Sequence, residues 1–276
     1  MRKTILVTGS TDGIGLETAK LLASNGHNVL LHGRNQAKLA DAQQVVSLVA
    51  DTGQIETYVA DLSRLDEVEA LANAVAEKHS TLDVLINNAG VFRTPQPITE
   101  EGLDVRFVVN SIAPYLLTQR LLPLLGSSGR VVNLSSAAQS PVNIEALAGR
   151  LNLADDFAAY AQSKLALTMW SRHMAHAQSG KGPAIIAVNP GSMLGSKMVK
   201  EGFGVTGNDL GIGAEILARA ALSEEFSAAS GLYFDNAARC KFDNANQFTA
   251  PHLDALDVQK TERVVRTIEA LLAEFN

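Results

Sequence analysis

The chain has little of several things, and each scarcity narrows what it does. Cys240 is the single cysteine in 276 residues, so no intrachain disulfide forms and a reducing compartment fits. Prolines number 8 and no segment is low in complexity, which argues against a disordered chain or a long linker. Basic residues are scattered and the net charge is −6, so the footprint of a nucleic-acid binder is absent and no nucleic-acid partner is expected. Long apolar runs are missing too. The most apolar stretch, Phe107 to Leu125, is interrupted by Asn110, Gln119 and Arg120, too polar for a membrane span. The start, Met1 to Val7, imitates a signal peptide only until Thr8-Gly9-Ser10, and reads better as a buried first strand. A cytoplasmic protein is the expectation.

What is present is a 46% hydrophobic chain in which short β-branched runs alternate with stretches of helical period. Strands are predicted at Thr4–Val7, Val29–His32, Ile55–Val59, Val84–Asn87, Val131–Leu134, Ile185–Asn189 and Leu232–Phe234. This alternation predicts an α/β fold, a Rossmann-type doubly wound parallel sheet of about seven strands with helices on both faces. One domain over residues 1–276 is expected. Leu65, Val68, Leu71, Ala72 and Val75 recur at helical spacing after Ser63 and Asp66, which resemble a capping box. Val264, Val265, Ile268, Leu271, Leu272 and Phe275 predict a closing helix.

Directly after the first strand comes Thr8-Gly9-Ser10-Thr11-Asp12-Gly13-Ile14-Gly15, opening a helix over Leu16 to Asn25. Glycine lets backbone approach a pyrophosphate closely, and free amides at a helix N-terminus favour the anion. Glycines in a tight turn mean little alone; a strand before and a helix after give them weight. The spacing is Gly-x3-Gly-x-Gly, not the commoner Gly-x-Gly-x2-Gly.

TGxxxGIG resembles the short-chain dehydrogenase/reductase family, and further motifs follow in the family's order: Asp61-Leu62, Asn87-Asn88-Ala89-Gly90, Asn110, Leu134-Ser135-Ser136, Tyr160-Ala161-Gln162-Ser163-Lys164 and Asn189-Pro190-Gly191. The resemblance runs through almost the whole chain. It implies an oxidoreductase whose nicotinamide dinucleotide is held by Gly9, Ser10, Thr11, Gly13, Ile14, Gly15, Asp61, Leu62, Asn88, Ala89, Gly90, Pro190 and Gly191, with no metal. It also implies the catalytic set. Tyr160 exchanges a proton with the substrate oxygen, Ser136 holds that oxygen, Lys164 lowers the tyrosine's pKa and binds the nicotinamide ribose, and Asn110 seats a water that connects Lys164 to solvent. The pairing has chemical sense, because bringing a tyrosine from about 10 to about 7 takes about 4 kcal/mol. One ammonium about 4 Å away supplies that much at an effective dielectric of about 20.

The second strand ends Leu31-His32-Gly33-Arg34-Asn35, with an arginine where an acid would bind the ribose of NAD, so NADP is expected over NAD. The resemblance lies closest to retinol-dehydrogenase and protochlorophyllide-reductase-like members. Ser136 and Tyr160 are farther apart than is usual, and Gln139 to Asp156 form an insertion beside the active site that bears on the pocket or on the helix face through which members associate. Homodimer, homotetramer and monomer stay open. After Gly191, Ser192 or Ser196 replaces the threonine that contacts the nicotinamide amide. The implied substrate is a fairly apolar small carbonyl or alcohol. An NADP-sensing regulator without turnover is the alternative, although such relatives typically lose the tyrosine or lysine. Residues 192–207 mix apolar side chains with Gly195, Gly202, Gly204 and Gly207, as a substrate lid needs.

Overall fold

A computed structural model describes residues 1–236 and 247–275; Cys240 lies outside them. β1 (Thr4–Val7) leads to α1 (Gly13–Ser24), β2 (Asn28–Gly33) to α2 (Gln36–Val49), and β3 (Ile55–Val59) to α3 (Leu65–Lys78). After β4 (Val84–Asn87) come α4 (Val105–Phe107), a π-helical turn over Val108–Ile112, and α5 (Ala113–Leu125). β5 (Arg130–Leu134), α6 (Ile144–Leu147), α7 (Asp156–Ala177), β6 (Ala184–Asn189), α8 (Lys197–Phe203) and α9 (Leu210–Leu222) follow. β7 (Tyr233–Asp235), β8 (Gln247–Thr249), α10 (Leu253–Leu256) and α11 (Val258–Glu274) complete the order.

The strands form one sheet in the order β3-β2-β1-β4-β5-β6-β7-β8, parallel except that β8 runs antiparallel to β7. All seven predicted strands are present, and β8 is additional. Three residues carry no periodic signal; pairing with β7 and the packing of Phe248 on Phe226 and Phe234 make β8 a strand.

Strand alternation sorts the core into two layers. Leu6, Leu30, Leu85, Val131 and Ile185 point to the layer of α3, α5 and α7, whereas Ile5, Val7, Val29, Leu31, Val132 and Ile186 point to that of α1, α2 and α9. Strand order reverses beside β1, between β1 and β4, and α/β folds place ligands in the crevice at such a switch point.

Two local expectations change. Helix α1 begins at Gly13, inside the glycine turn, because the Asp12 carboxylate accepts from the Gly13 amide at 2.7 Å. Ser63 and Asp66 form no capping box: the Ser63 amide and hydroxyl donate to Asp61 Oδ1 at 2.9 and 2.7 Å, and Arg64 occupies the cap position without a side-chain capping bond. The predicted apolar face of α3 is buried all the same. In α11, Val264, Val265, Ile268, Leu271 and Leu272 are buried, whereas Phe275, beyond the helix end, is exposed. Helix α11 packs on α6 and α7 and accepts, through Glu269, the Tyr115 hydroxyl of α5 at 2.8 Å. The insertion at 139–156, which contains α6, is thus held against α11, and none of its residues lines the cleft described next. Among the described residues no helix is long and apolar enough to cross a membrane.

Candidate active site

A cleft of about 1060 Å³ opens at the C-terminal ends of β1, β2, β4, β5 and β6. Its dinucleotide half is shaped by glycines that leave no room for side chains. At Gly9, with φ +65°, a Cβ would lie 2.8 Å from Ala89 Cα; at Gly15 one would lie 2.4 Å from the Gly9 carbonyl oxygen and from Asn88 Nδ2. The packed backbone is cross-linked by Thr8, whose hydroxyl oxygen accepts from the amides of Asn88 and Ala89, and by Asn88, whose Nδ2 donates to the carbonyls of Thr8 and Gly9. His32 adds a third tie. Its Nδ1 accepts from the Gly9 amide at 3.1 Å and its Nε2 reaches the Ala60 carbonyl at 3.0 Å; burial lowers its pKa to about 4, which keeps the ring neutral. This nook, with the amino end of α1 facing it, fits a dinucleotide pyrophosphate.

Gly9, Thr11, Gly13, Ile14, Gly15, Arg34, Asp61, Leu62, Asn88, Ala89, Gly90, Pro190 and Gly191 all line the cleft. Ser10 does not. It is fully buried, and its hydroxyl accepts from the His32 amide and donates to the His32 carbonyl, so it joins β1 to β2 instead of facing a ligand. Arg34 is exposed beside Asn35 and Lys38, which also line this end, and makes no ion pair among the described residues.

Ser136, Tyr160 and Lys164 meet at the other end. Helix α7 places Tyr160 and Lys164 one turn apart, with the Lys164 ammonium 5.7 Å from the Tyr160 ring centroid. Lys164 is 3% exposed and donates to the Leu134 carbonyl at 2.6 Å. Burial raises the pKa of the Tyr160 phenol while its hydrogen bond with Ser136 acts in the opposite direction, and burial lowers that of Lys164 to about 7. The amine is thus bonded to a carbonyl, and burial works against its charge. Both serines border the cleft, but Ser135 is buried with its hydroxyl bonded to that of Thr168 at 2.7 Å, whereas Ser136 is the one bonded to the Tyr160 phenol. The Tyr233 hydroxyl holds the Ser136 carbonyl at 3.0 Å.

Asn110 is expected to seat a water. It is 1% exposed, does not line the cleft, and its side chain is engaged: Oδ1 accepts from the Val91 amide, and Nδ2 donates to the Val91 carbonyl and the Ser163 hydroxyl. Oδ1 keeps a second lone pair, and the backbone carbonyl is its other acceptor. Pro114, four residues on, has no N–H to give that carbonyl, and the helix runs as a π-turn here.

Phe92, Val105, Val109, Phe157, Met193, Met198 and Val199 form an apolar wall beside Tyr160. The Phe92 ring stands edge-on to Tyr160, with centroids 5.3 Å apart. Segment 192–207 closes over this wall through α8. A Cβ on Gly202 would lie 2.5 Å from the Phe92 ring, so this glycine permits packing and is no hinge. The segment's ends are pinned by Asn208, whose amide donates to the Met193 carbonyl and whose carbonyl accepts from the Gly195 amide, both at 2.7 Å. Ser196 caps α8, while the Ser192 hydroxyl is exposed to the cleft and unengaged among the described residues. No group of three or more His, Cys, Asp or Glu among the described residues could hold a metal ion.

Sequence reasoning missed Thr8, His32, Phe92 and Tyr233. A buried histidine ending an otherwise apolar strand was a usable signal; a tyrosine far along the chain that props a serine loop leaves none.

A dinucleotide crevice and a Tyr-Lys-Ser cluster on a doubly wound sheet define a nucleotide-dependent oxidoreductase. The short chain dehydrogenase family model matches residues 3–204, and the chain belongs to that family. It is 33% identical over 251 residues to retinol dehydrogenase 13 of Mus musculus, covering 84% of this chain and 75% of the relative. A metagenomic short-chain oxidoreductase solved in complex with NADP is 30% identical, with TM-score 0.61 over 79% of this chain and 90% of that one. An uncharacterised protein from Mycobacterium paratuberculosis superposes with TM-score 0.80 at 27% identity, covering 98% of this chain and 92% of the other.

Proposed function

We propose that this oxidoreductase interconverts a carbonyl and an alcohol on a fairly apolar small molecule, with NADP(H) as its dinucleotide and residues 1–276 acting as one catalytic unit. The observation that carries the reading is the convergence of Ser136, Tyr160 and Lys164 at the end of the cleft that the apolar wall encloses. A bound nicotinamide supplies the hydride and, when oxidised, a positive charge. The chain's own groups do the rest. Ser136 holds the substrate oxygen, the Tyr160 phenol exchanges a proton with it, and Lys164 stabilises the phenolate and binds the ribose. A high phenol pKa before the dinucleotide binds keeps the donor protonated, ready for reduction. Arg34 and Lys38, with no acid at the end of β2, favour a 2′-phosphate.

Residues 192–207 act in this reading as a lid, with α8 as the moving part over a base fixed by Asn208. A panel of aldehydes, ketones and alcohols assayed with each nicotinamide by cofactor absorbance tests the proposal. NADPH-dependent reduction of apolar carbonyls supports it; dinucleotide binding without turnover of any of them favours an NADP sensor.

A further inference from the structure

The most buried charge beside the cleft plays no part in the chemistry above. Arg106, in α4, is 1% exposed and forms a two-pronged pair with Asp104: Nε donates to Oδ1 at 2.8 Å and Nη2 to Oδ2 at 2.6 Å. Its Nη1 donates to Oδ1 of Asp156, fifty residues away. The other oxygen of Asp156, Oδ2, lies 3.7 Å from Nε of Arg93. Arg93 stands over the Phe92 ring, 5.4 Å from its centroid, and Phe92 packs edge-on against Tyr160.

The contacts close a ring around Tyr160. Asp156 is the first residue of α7 and lies one turn before Tyr160 on the same helix face, with Lys164 one turn further on. Asp155 already caps the helix through the amides of Phe157 and Ala158, which leaves Asp156 to face the arginines. Arg106 precedes the π-turn that carries Asn110, and Asn110 in turn grips Val91, beside Phe92. Helix α7, helix α4 and the loop after β4 thus meet at one carboxylate. The Arg106–Asp104 pair is buried, whereas Asp156 is 40% and Arg93 55% exposed, so these pairs add little to stability and bear on the site through the arrangement they hold.

We infer that Asp156, clasped by Arg106 and Arg93, is a positioning residue that sets the Tyr160 phenol against the substrate oxygen. This rests on the acid-base reading of Tyr160. It also gives the insertion a role: its last residue delivers the clasp although the insertion lines no part of the cleft.

The test compares Asp156→Asn, Asp156→Glu and Arg106→Lys with the unaltered enzyme for NADPH affinity by fluorescence titration, kcat, KM and melting temperature, assaying well below each variant's melting point. Asp156→Asn keeps volume and removes the charge. It should lower kcat about tenfold or more with KM and NADPH affinity within about twofold, and Asp156→Glu should restore most of kcat. Arg106→Lys, which keeps a cation but loses the fork, should fall between. A lowered melting point with kcat unchanged in Asp156→Asn would make the clasp merely structural and overturn the inference, as would an equal loss of NADPH affinity. Tyr160→Phe assayed alongside separates the two readings: full activity there removes the acid-base role itself, whereas an inactive Tyr160→Phe beside a fully active Asp156→Asn removes only the clasp.

Discussion

The two ends of the cleft are built on different terms. At the dinucleotide end, backbone packs on backbone, Gly9 on Ala89 and Gly15 on the Gly9 carbonyl, with Gly33 against the Thr11 side chain. At the substrate end, side chains meet across long stretches of sequence: Asn110 with Ser163, Arg106 with Asp156, Tyr233 with Ser136. The first arrangement admits almost no side chain at its glycines, whereas the second rests on side-chain contacts between segments distant in the sequence.

The largest effect should come from forcing a side chain into the first region. Gly9→Val places a branched side chain where φ is +65° and Ala89 Cα is 2.8 Å from the Cβ. NADPH titration should find binding reduced by about a hundredfold or more, alongside a lower melting point. Binding within a few-fold of the unaltered protein would mean that the turn is more yielding than its packing implies.

Lys164→Met sharpens the comparison because this residue serves both ends. It should abolish turnover and weaken NADPH binding, while the dinucleotide-free protein should become more stable. Burial holds the Lys164 pKa at about 7 against 10.5 for the unperturbed group. Between those values the unfolded chain binds more protons than the folded one, so the lysine's penalty on folding is large near pH 7 and shrinks as pH rises toward 10.5. The variant should therefore melt above the unaltered protein at pH 7, by about 2 °C or more, with the gap closing toward pH 10. A lower melting point at pH 7 would show that the amine's bond to Leu134 outweighs its desolvation.

Replacing Met198–Val205 with a Gly-Ser linker probes the second region alone. Cofactor affinity should stay nearly intact, and turnover of apolar carbonyls should fall far more than that of small polar ones. Loss of folding, seen by melting and sizing, would make the segment a packed loop and not a lid. The smallest effect is expected from Arg34→Ala, which should narrow the NADPH-over-NADH preference by about tenfold, since a charge-assisted bond is worth about 1.5–3 kcal/mol. Equal affinity of the unaltered protein for both dinucleotides would refute the preference.

The same contrast explains what could be read from the amino-acid order. Seven strands and the α3 and α11 faces were legible because burial imposes short periods on neighbouring residues. The glycine turn was legible because close packing demands one residue type at fixed spacing. The place of Ser10 in the turn does not reveal that its hydroxyl faces β2. For Asn110 the motif names a residue but not the partners of its side chain, which lie on Val91 and Ser163. Strand β8, His32, Tyr233 and the Arg106 clasp depend on contacts between distant segments, for which a single chain carries no local pattern.

The central claim is that the phenol of Tyr160 moves the proton in a hydride transfer between NADPH and a carbonyl. Tyr160→Phe removes that oxygen and keeps the ring against Phe92. Measured together on this variant, NADPH affinity and the rate of carbonyl reduction test the claim most directly. The account predicts affinity within about twofold and a rate lowered by about a thousandfold or more. Reduction within a few-fold of the unaltered enzyme would contradict it.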